Sequence, residues 1–213
     1  MIFDWGGVIT SPIIDTVQAW LIADRIDRAS YSAAMRPWVH RAYGADQDES
    51  PIHALERGEL ADAEFEHTLA SLLTTVDGGT VASSGLLKRM FAASVVQTAM
   101  LDLIRDLRAD GVRIALLSNS WGDPSSYPAD LLAELFDDVV ISAQVGMRKP
   151  EERIFALSLD RLGLAAPECA FVDDMEGNIV AARAFGLAAV HHSDPADTRA
   201  QLTAILTGTA EQR

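Results

Sequence analysis

Cysteine is nearly absent from this chain. Cys169 is the only one in 213 residues, so no internal disulfide can form. Its setting, Glu168-Cys169-Ala170-Phe171-Val172, holds no basic neighbour that would lower the thiol pKa, and it reads as a buried strand residue rather than a nucleophile. A disulfide-free chain fits a reducing compartment, so a cytoplasmic location is expected. Positive charge is also scarce: 17 Lys and Arg stand against 31 Asp and Glu, a net charge of −14. Such a domain repels phosphate backbones, which argues against nucleic acid as a partner. Any phosphate site must then be made locally positive by a metal, a lysine and backbone N–H groups. Long apolar runs are lacking as well, and none could span a bilayer, so no membrane partner is expected. The chain opens without a basic segment, an apolar stretch and a small-residue cleavage site, so no signal peptide is read. There is no internal repeat and no low-complexity tract.

What is present is enough apolar material, 49% of residues, for one large core or a core with a lid. The C-terminal half alternates regularly. Residues 97–109 carry an apolar stripe at helical spacing and stop at Asp110-Gly111; a strand follows over 112–117. Then come a helix over 128–136, a strand over 139–142, a helix from Pro150 in its first turn to Leu162, and a strand over 170–173. A helix over 177–185, a strand over 188–191 and a helix over 195–206 complete it. This alternation predicts an α/β fold, a doubly wound parallel sheet. Residues 13–92 differ: helices are expected over 13–26, 31–43 and 63–73, with breaks over 46–51 and 76–85 and no convincing strand. The spacing therefore predicts a sheet-bearing core from residues 1–12 and 93–213 with a helical insert over 13–92. The Gly-rich break at Asp77-Gly78-Gly79 is either a loop inside the insert or part of its hinge.

Four short segments carry the chemistry. Phe3-Asp4-Trp5-Gly6-Gly7-Val8 opens the chain; Leu116-Leu117-Ser118-Asn119-Ser120, Gly146-Met147-Arg148-Lys149-Pro150 and Phe171-Val172-Asp173-Asp174 follow in order. A carboxylate, a hydroxyl, an ammonium and a carboxylate pair, each at a strand or loop end, can meet at the edge of a parallel sheet where open α/β folds place ligands. Only three residues precede Asp4. The central strand is therefore expected to be very short, or the natural start lies upstream of Met1.

In order and spacing these segments resemble the haloacid dehalogenase-like hydrolase superfamily, mostly phosphatases. Gln144 to Glu151 and Val172 to Asn178 are most similar to the phosphatase-like N-terminal domain of soluble epoxide hydrolases and to sugar-phosphatase-like members. The resemblance implies a Rossmann-like core, a helical cap in the insert, Mg2+ as cofactor and a small phosphorylated substrate, in a monomer or homodimer. It implies Asp4 as nucleophile forming an aspartyl-phosphate, which splits a very slow hydrolysis into two steps. Lys149 would hold nucleophile and phosphate together. Asp4, the Gly6 carbonyl and Asp174 would hold Mg2+ through hard oxygens. Ser118, with the N–H groups after it, would bind phosphoryl oxygens, Gly7 would let phosphate approach the backbone, and Asn119 would bond substrate. Asp173 would support the site and Asn178 would hold a metal-bound water. His191 and His192 read as a strand-end pair without a catalytic role. Trp20, Trp38 and the methionines of the insert read as core, and Trp5 and Trp121 as either pocket walls or packing.

One departure matters. Two residues after the nucleophile, most phosphatases of the superfamily carry a second aspartate that protonates the leaving alcohol; here stands Gly6. General acid–base help is worth ~10²–10⁴-fold. A carbonyl metal ligand is expected to survive this change, while the proton must come from water, substrate or cap unless the leaving group needs little protonation. The first expectation is a Mg2+-dependent phosphatase acting without that group. A 2-haloacid dehalogenase, whose halide leaves without a proton, is an alternative, with a cap arginine among Arg25, Arg28, Arg36 and Arg41 needed for the substrate carboxylate. A non-catalytic binder of phosphate ligands is the third.

Overall fold

The computed structural model describes residues 1–43 and 49–208. The expected break over 46–51 falls partly outside them, at 46–48.

Five parallel strands form one sheet in the order β3-β2-β1-β4-β5. They are β1 (Ile2–Phe3), β2 (Ala115–Ser118), β3 (Asp138–Ile141), β4 (Ala170–Asp173) and β5 (Ala188–His191). The shortest strand is the central one. Ile2 and Phe3 pair with Ala115 and Leu116 on one side and with Phe171 and Val172 on the other. The Asp4 N–H extends this ladder by donating to the Val172 carbonyl at 2.9 Å. Both residues of β1 are fully buried, so its few ladder bonds are backed by two packed faces.

Alternation along the strands splits the core into two layers. Phe3, Leu116 and Val172 face one layer, where they meet Met100, Leu103, Ile104 and Leu202. Ile2, Leu117 and Phe171 face the other, against Ile154, Phe155, Leu159 and Ile179. The helices that cover these layers follow from their apolar stripes. In chain order, after the insert described next, they are α6 (Thr98–Ala109), α7 (Ala129–Leu135), α8 (Ser142–Val145), α9 (Glu152–Leu162), α10 (Glu176–Phe185) and α11 (Pro195–Leu206). Asp194 caps the last of these by accepting from the N–H groups of Ala196 and Asp197. The result is the α/β, Rossmann-like architecture expected from the alternation.

Between β1 and α6 the chain is helical: α1 (Ile13–Ala23), α2 (Arg28–Tyr43), α3 (Pro51–Glu56), α4 (Asp62–Leu72) and α5 (Leu86–Met90). These helices bury their own cluster, with Trp20, Met35, Phe65, Leu69 and Met90 at its centre and Trp38 packed against it. The turn at Asp77-Gly78-Gly79 lies within this unit: Thr74 bridges Thr80, and Thr75 bridges Ile26.

Several local expectations need correction. The first helix stops at Ala23 rather than 26, because Arg25 takes a left-handed φ of 53° and Ile26 leaves to pair with Thr75. Helices α3 and α5, of six and five residues, have too few apolar repeats to stand out in the sequence. The β2 pairing begins at Ala115, not 112. Pro150 is not in a first helical turn, since α9 starts at Glu152 with Glu151 as its extended N-cap. The Lys149-Pro150 bond is cis, and the backbone N–H and carbonyl of Lys149 are bonded to Asn119 rather than to a helix. Among the described residues, no helix is long and apolar enough to cross a membrane.

Candidate active site

The C-terminal ends of β1, β2 and β4 place Asp4, Ser118 and the Asp173-Asp174 pair along one edge of the sheet. The segment after α8 brings Lys149 to them. Its ammonium lies 2.8 Å from Asp4 Oδ1 and 2.6 Å from Asp173 Oδ2. Lys149 is 1% exposed and Asp173 not at all. A buried ammonium is tolerable only when paired and hydrogen-bonded, and two carboxylates do this here. Burial opposes its charge, but Asp173 and then Asp4 hold the Lys149 pKa above its ordinary value.

Asp173 is saturated. Besides Lys149, it accepts from the Met175 N–H at 2.8 Å and from Asn178 Nδ2 at 3.0 and 3.1 Å. Asn178 therefore braces Asp173 through its amide nitrogen. Asp174 is the opposite case. It is partly buried, and its Oδ1 is a buried oxygen with no hydrogen-bond partner. Burial is the main cause that raises the Asp174 carboxyl to about 6, with Asp173 adding to the rise and Lys149 opposing it. Burial likewise raises Asp4 to about 8; Lys149 pulls it down while Asp173 and Asp174 push it up. These groups face each other with more negative charge than one lysine balances.

Oxygens of Asp4, Asp173 and Asp174 lie within 4.8 Å of one another, a spacing that a divalent cation can bridge. Asp173 is fully engaged and Asp4 Oδ1 sits on Lys149, which leaves the second oxygen of Asp4 and the unpartnered Asp174 oxygen as the candidates to hold one. The orphaned Asp174 oxygen and this hard-oxygen set fit Mg2+. Gly7 cradles Asp174: its φ is +75°, and a Cβ there would collide with Asp174 Oδ2. Glycine is therefore needed both for the turn and for the close approach.

The space beside Gly6 is not free. A Cβ there would lie 3.2 Å from Ile13 Cδ1, at the start of α1. The position where an acid–base side chain was missed in the sequence thus faces an aliphatic group. Ser118 Oγ is 2.8 Å from the Tyr127 hydroxyl, whose pKa burial pushes up to about 12. That phenol stays protonated and can orient the serine. Asn119, expected to bond substrate, has its amide on the Lys149 backbone. Its Nδ2 donates to the Lys149 carbonyl at 3.0 Å and its Oδ1 accepts from the Lys149 N–H at 2.8 Å. It ties the Ser118 loop to the Lys149 segment.

Tyr127 and Ile13 escaped the sequence reading. Tyr127 lies nine residues past Ser118 in a loop with no periodicity, and Ile13 looked like an ordinary first residue of an amphipathic helix. His191 contacts the site only from outside, its Nε2 2.9 Å from the Asp174 carbonyl. His192 is buried against Thr198. Trp121 packs into the α1–α5 cluster, and Trp5 stacks at a tilt on Tyr127 with ring centres 5.6 Å apart.

A family model described as "haloacid dehalogenase-like hydrolase" matches residues 1–186. The chain is 27% identical over 205 residues to Sesquiterpene phosphatase astK of Aspergillus oryzae, covering 94% of this chain and 93% of that protein. It is 26% identical over 202 residues to mouse Bifunctional epoxide hydrolase 2, covering 88% of this chain and 35% of the relative. It is also 26% identical to mouse Acyl-CoA dehydrogenase family member 10, covering 97% of this chain and only 19% of that protein. It thus spans a minor part of both mouse relatives. In fold it is similar to a family enzyme, bt-2542, of Bacteroides thetaiotaomicron solved as a magnesium complex: TM-score 0.59, 22% identity, 90% of this chain and 91% of that one.

Proposed function

The chain belongs to the haloacid dehalogenase-like hydrolases, and from that premise we propose that it hydrolyses small phosphate monoesters with Mg2+, through an aspartyl-phosphate at Asp4 and without an acid–base side chain at Gly6. One observation carries this reading: Lys149 bridges Asp4 and Asp173 while the neighbouring Asp174 keeps a buried oxygen unpartnered. A binder of phosphate alone has no use for a carboxylate held on the ammonium that would otherwise face the phosphate. A dehalogenase has no use for an orphaned ligand oxygen beside its nucleophile. The phosphatases among the relatives, and the magnesium in the bt-2542 complex, support the same choice.

In this reading the α1–α5 unit over 13–92 is the cap that covers the edge of the sheet. Asp4, Asp174 and the Gly6 carbonyl would hold Mg2+, which neutralises charge on the phosphoryl group and on the carboxylates around it. Lys149 keeps Asp4 oriented and counters phosphoryl charge. Asp4 Oδ attacks phosphorus, the bond from phosphorus to the ester oxygen breaks, and the alcohol takes its proton from water. Water then attacks the phosphoryl group on Asp4, releasing phosphate and restoring the carboxylate. Ser118, held by Tyr127, donates to a phosphoryl oxygen throughout. Gly7 gives phosphate access to the backbone. Asn119 acts on the site by fixing Lys149, and Asn178 by fixing Asp173.

The test is phosphate release from a panel of sugar phosphates, acyl phosphates and terpenyl phosphates with Mg2+. Activity is expected with at least one class, and loss is expected with EDTA and with Asp4→Asn. Release no greater than that of Asp4→Asn across the panel sinks the proposal.

A further inference from the structure

A buried charged pair outside the site joins the cap to the segment that carries Lys149. Glu56, at the end of α3, is fully buried, and Arg148 is 2% exposed. Arg148 Nε donates to Glu56 Oε2. The other oxygen of Glu56 accepts from the Tyr43 hydroxyl and, at 3.0 Å, from Trp121 Nε1. The guanidinium also lies over the Tyr43 ring, 5.4 Å from its centre. Among the described residues, every polar side-chain contact of Glu56 thus involves either the cap's own Tyr43 or the two core loops of the site. One of those loops runs from Ser118 through Trp121; the other holds Arg148 next to Lys149.

The docking is close as well as charged. Gly58 has φ +70°, and a Cβ on it would lie 2.7 Å from the Ala143 carbonyl oxygen, so only glycine lets the α3 turn approach α8. Beside it Arg57 pairs with Glu151 at 3.4 Å. Residues 56–58 of the cap therefore grip both ends of the stretch 143–151. Asn119 then couples that stretch to the Ser118 loop through the Lys149 backbone. A buried pair is no strong source of stability, but removing one partner strands the other in the protein interior. The segment cannot shift without doing so.

We propose that Glu56, acting through Arg148, is a positioning residue of the cap that sets where the Lys149 ammonium sits between Asp4 and Asp173. This deepens the phosphatase reading and rests on it only for the kinetic part of its test. The placement of the cap and that of the lysine are thereby coupled, because the cap's own carboxylate holds the residue next to Lys149.

The sequence provides a clean probe. Lys88 and Lys149 are its only lysines, and Lys88 is exposed on α5. Protein made with 13C- and 15N-labelled lysine gives two sets of side-chain signals, assigned with Lys88→Arg. Glu56→Gln is expected to move the Lys149 signals and leave those of Lys88. It should lower kcat for phosphate release on the order of tenfold, as misplaced catalytic groups do, with KM within about twofold. Leu107→Ala, a truncation at the far end of α6, serves as the control for lost stability. It should leave both lysines and kcat as in the unmodified chain. Should Glu56→Gln fail to fold, Tyr43→Phe removes one bond to Glu56 and is expected to act in the same direction. Unmoved Lys149 signals in the Glu56 or Tyr43 variant, or equal movement in Leu107→Ala, overturn the proposal. If no substrate is turned over by the unmodified protein, the function is wrong, and the spectra still decide the positioning role.

Discussion

The buried acids at the sheet edge should make the metal-free protein less stable as pH rises, and Asp174 allows the effect to be sized. Its carboxyl moves from 3.8 to about 6, chiefly through burial. An acid whose folded-state pKa is raised holds a proton that the unfolded chain has already released. The stability that depends on it is intact below about 4 and is lost as pH climbs through about 6. The protein's pI of about 4.6 makes pH 5 a practical lower limit. From there to pH 7.5 about one unit of the Asp174 shift remains, worth roughly 1.4 kcal/mol. For a chain of this size that is a fall in Tm of about 3–6 °C. Asp4, raised to about 8, acts in the same direction over the same window. The assay is thermal unfolding in EDTA at pH 5 and 7.5, for the unmodified chain and Asp174→Asn. The variant should show a fall smaller by about 3–6 °C. Mg2+ binds the ionised carboxylates, so it should raise Tm more at pH 7.5 than at pH 5, and little in the variant. Parallel pH curves in EDTA, or an equal Mg2+ effect in Asp174→Asn, would refute the assignment of Asp174 as a strained ligand.

Two further predictions follow from the glycines. Gly7→Ala should abolish the Mg2+-dependent rise in Tm and cut phosphate release at least ~100-fold, because its Cβ displaces Asp174; retained Mg2+ stabilisation would contradict the cradle. Gly6→Asp alone should gain little on alkyl phosphates, since Ile13 stands 3.2 Å from the new Cβ, whereas Gly6→Asp with Ile13→Ala should gain on the order of tenfold. Activated aryl esters, which leave without a proton, should show no such gain, and a uniform gain across leaving groups would rule out an acid–base origin.

The sheet was legible because its strands are separated by helices with clear stripes: Met100, Leu103, Ile104 and Leu107 line up in α6, and Gly163 and Gly186 stop α9 and α10 where expected. Asp4, Ser118, Lys149 and Asp174 were legible because each ends an apolar run or breaks into a loop. What stayed hidden is side-chain direction. Asn119 spends both ends of its amide on the Lys149 backbone and Asn178 gives its amide nitrogen to Asp173, contacts that follow from a buried backbone and carboxylate needing partners and that no spacing announces. Glu56 and Arg148 look like surface charges in the sequence. Only the approach of α3 to α8 shows them facing each other out of solvent. Short α3 and α5 have no repeat long enough to read.

Three carboxylates gathered around one ammonium have a consequence for the order of events. Under the proposed function, a bare pocket of that sign would turn a phosphate ester away until a cation had arrived. In that reading a protein of net charge −14 would carry at its sheet edge a place that admits its ligands in sequence.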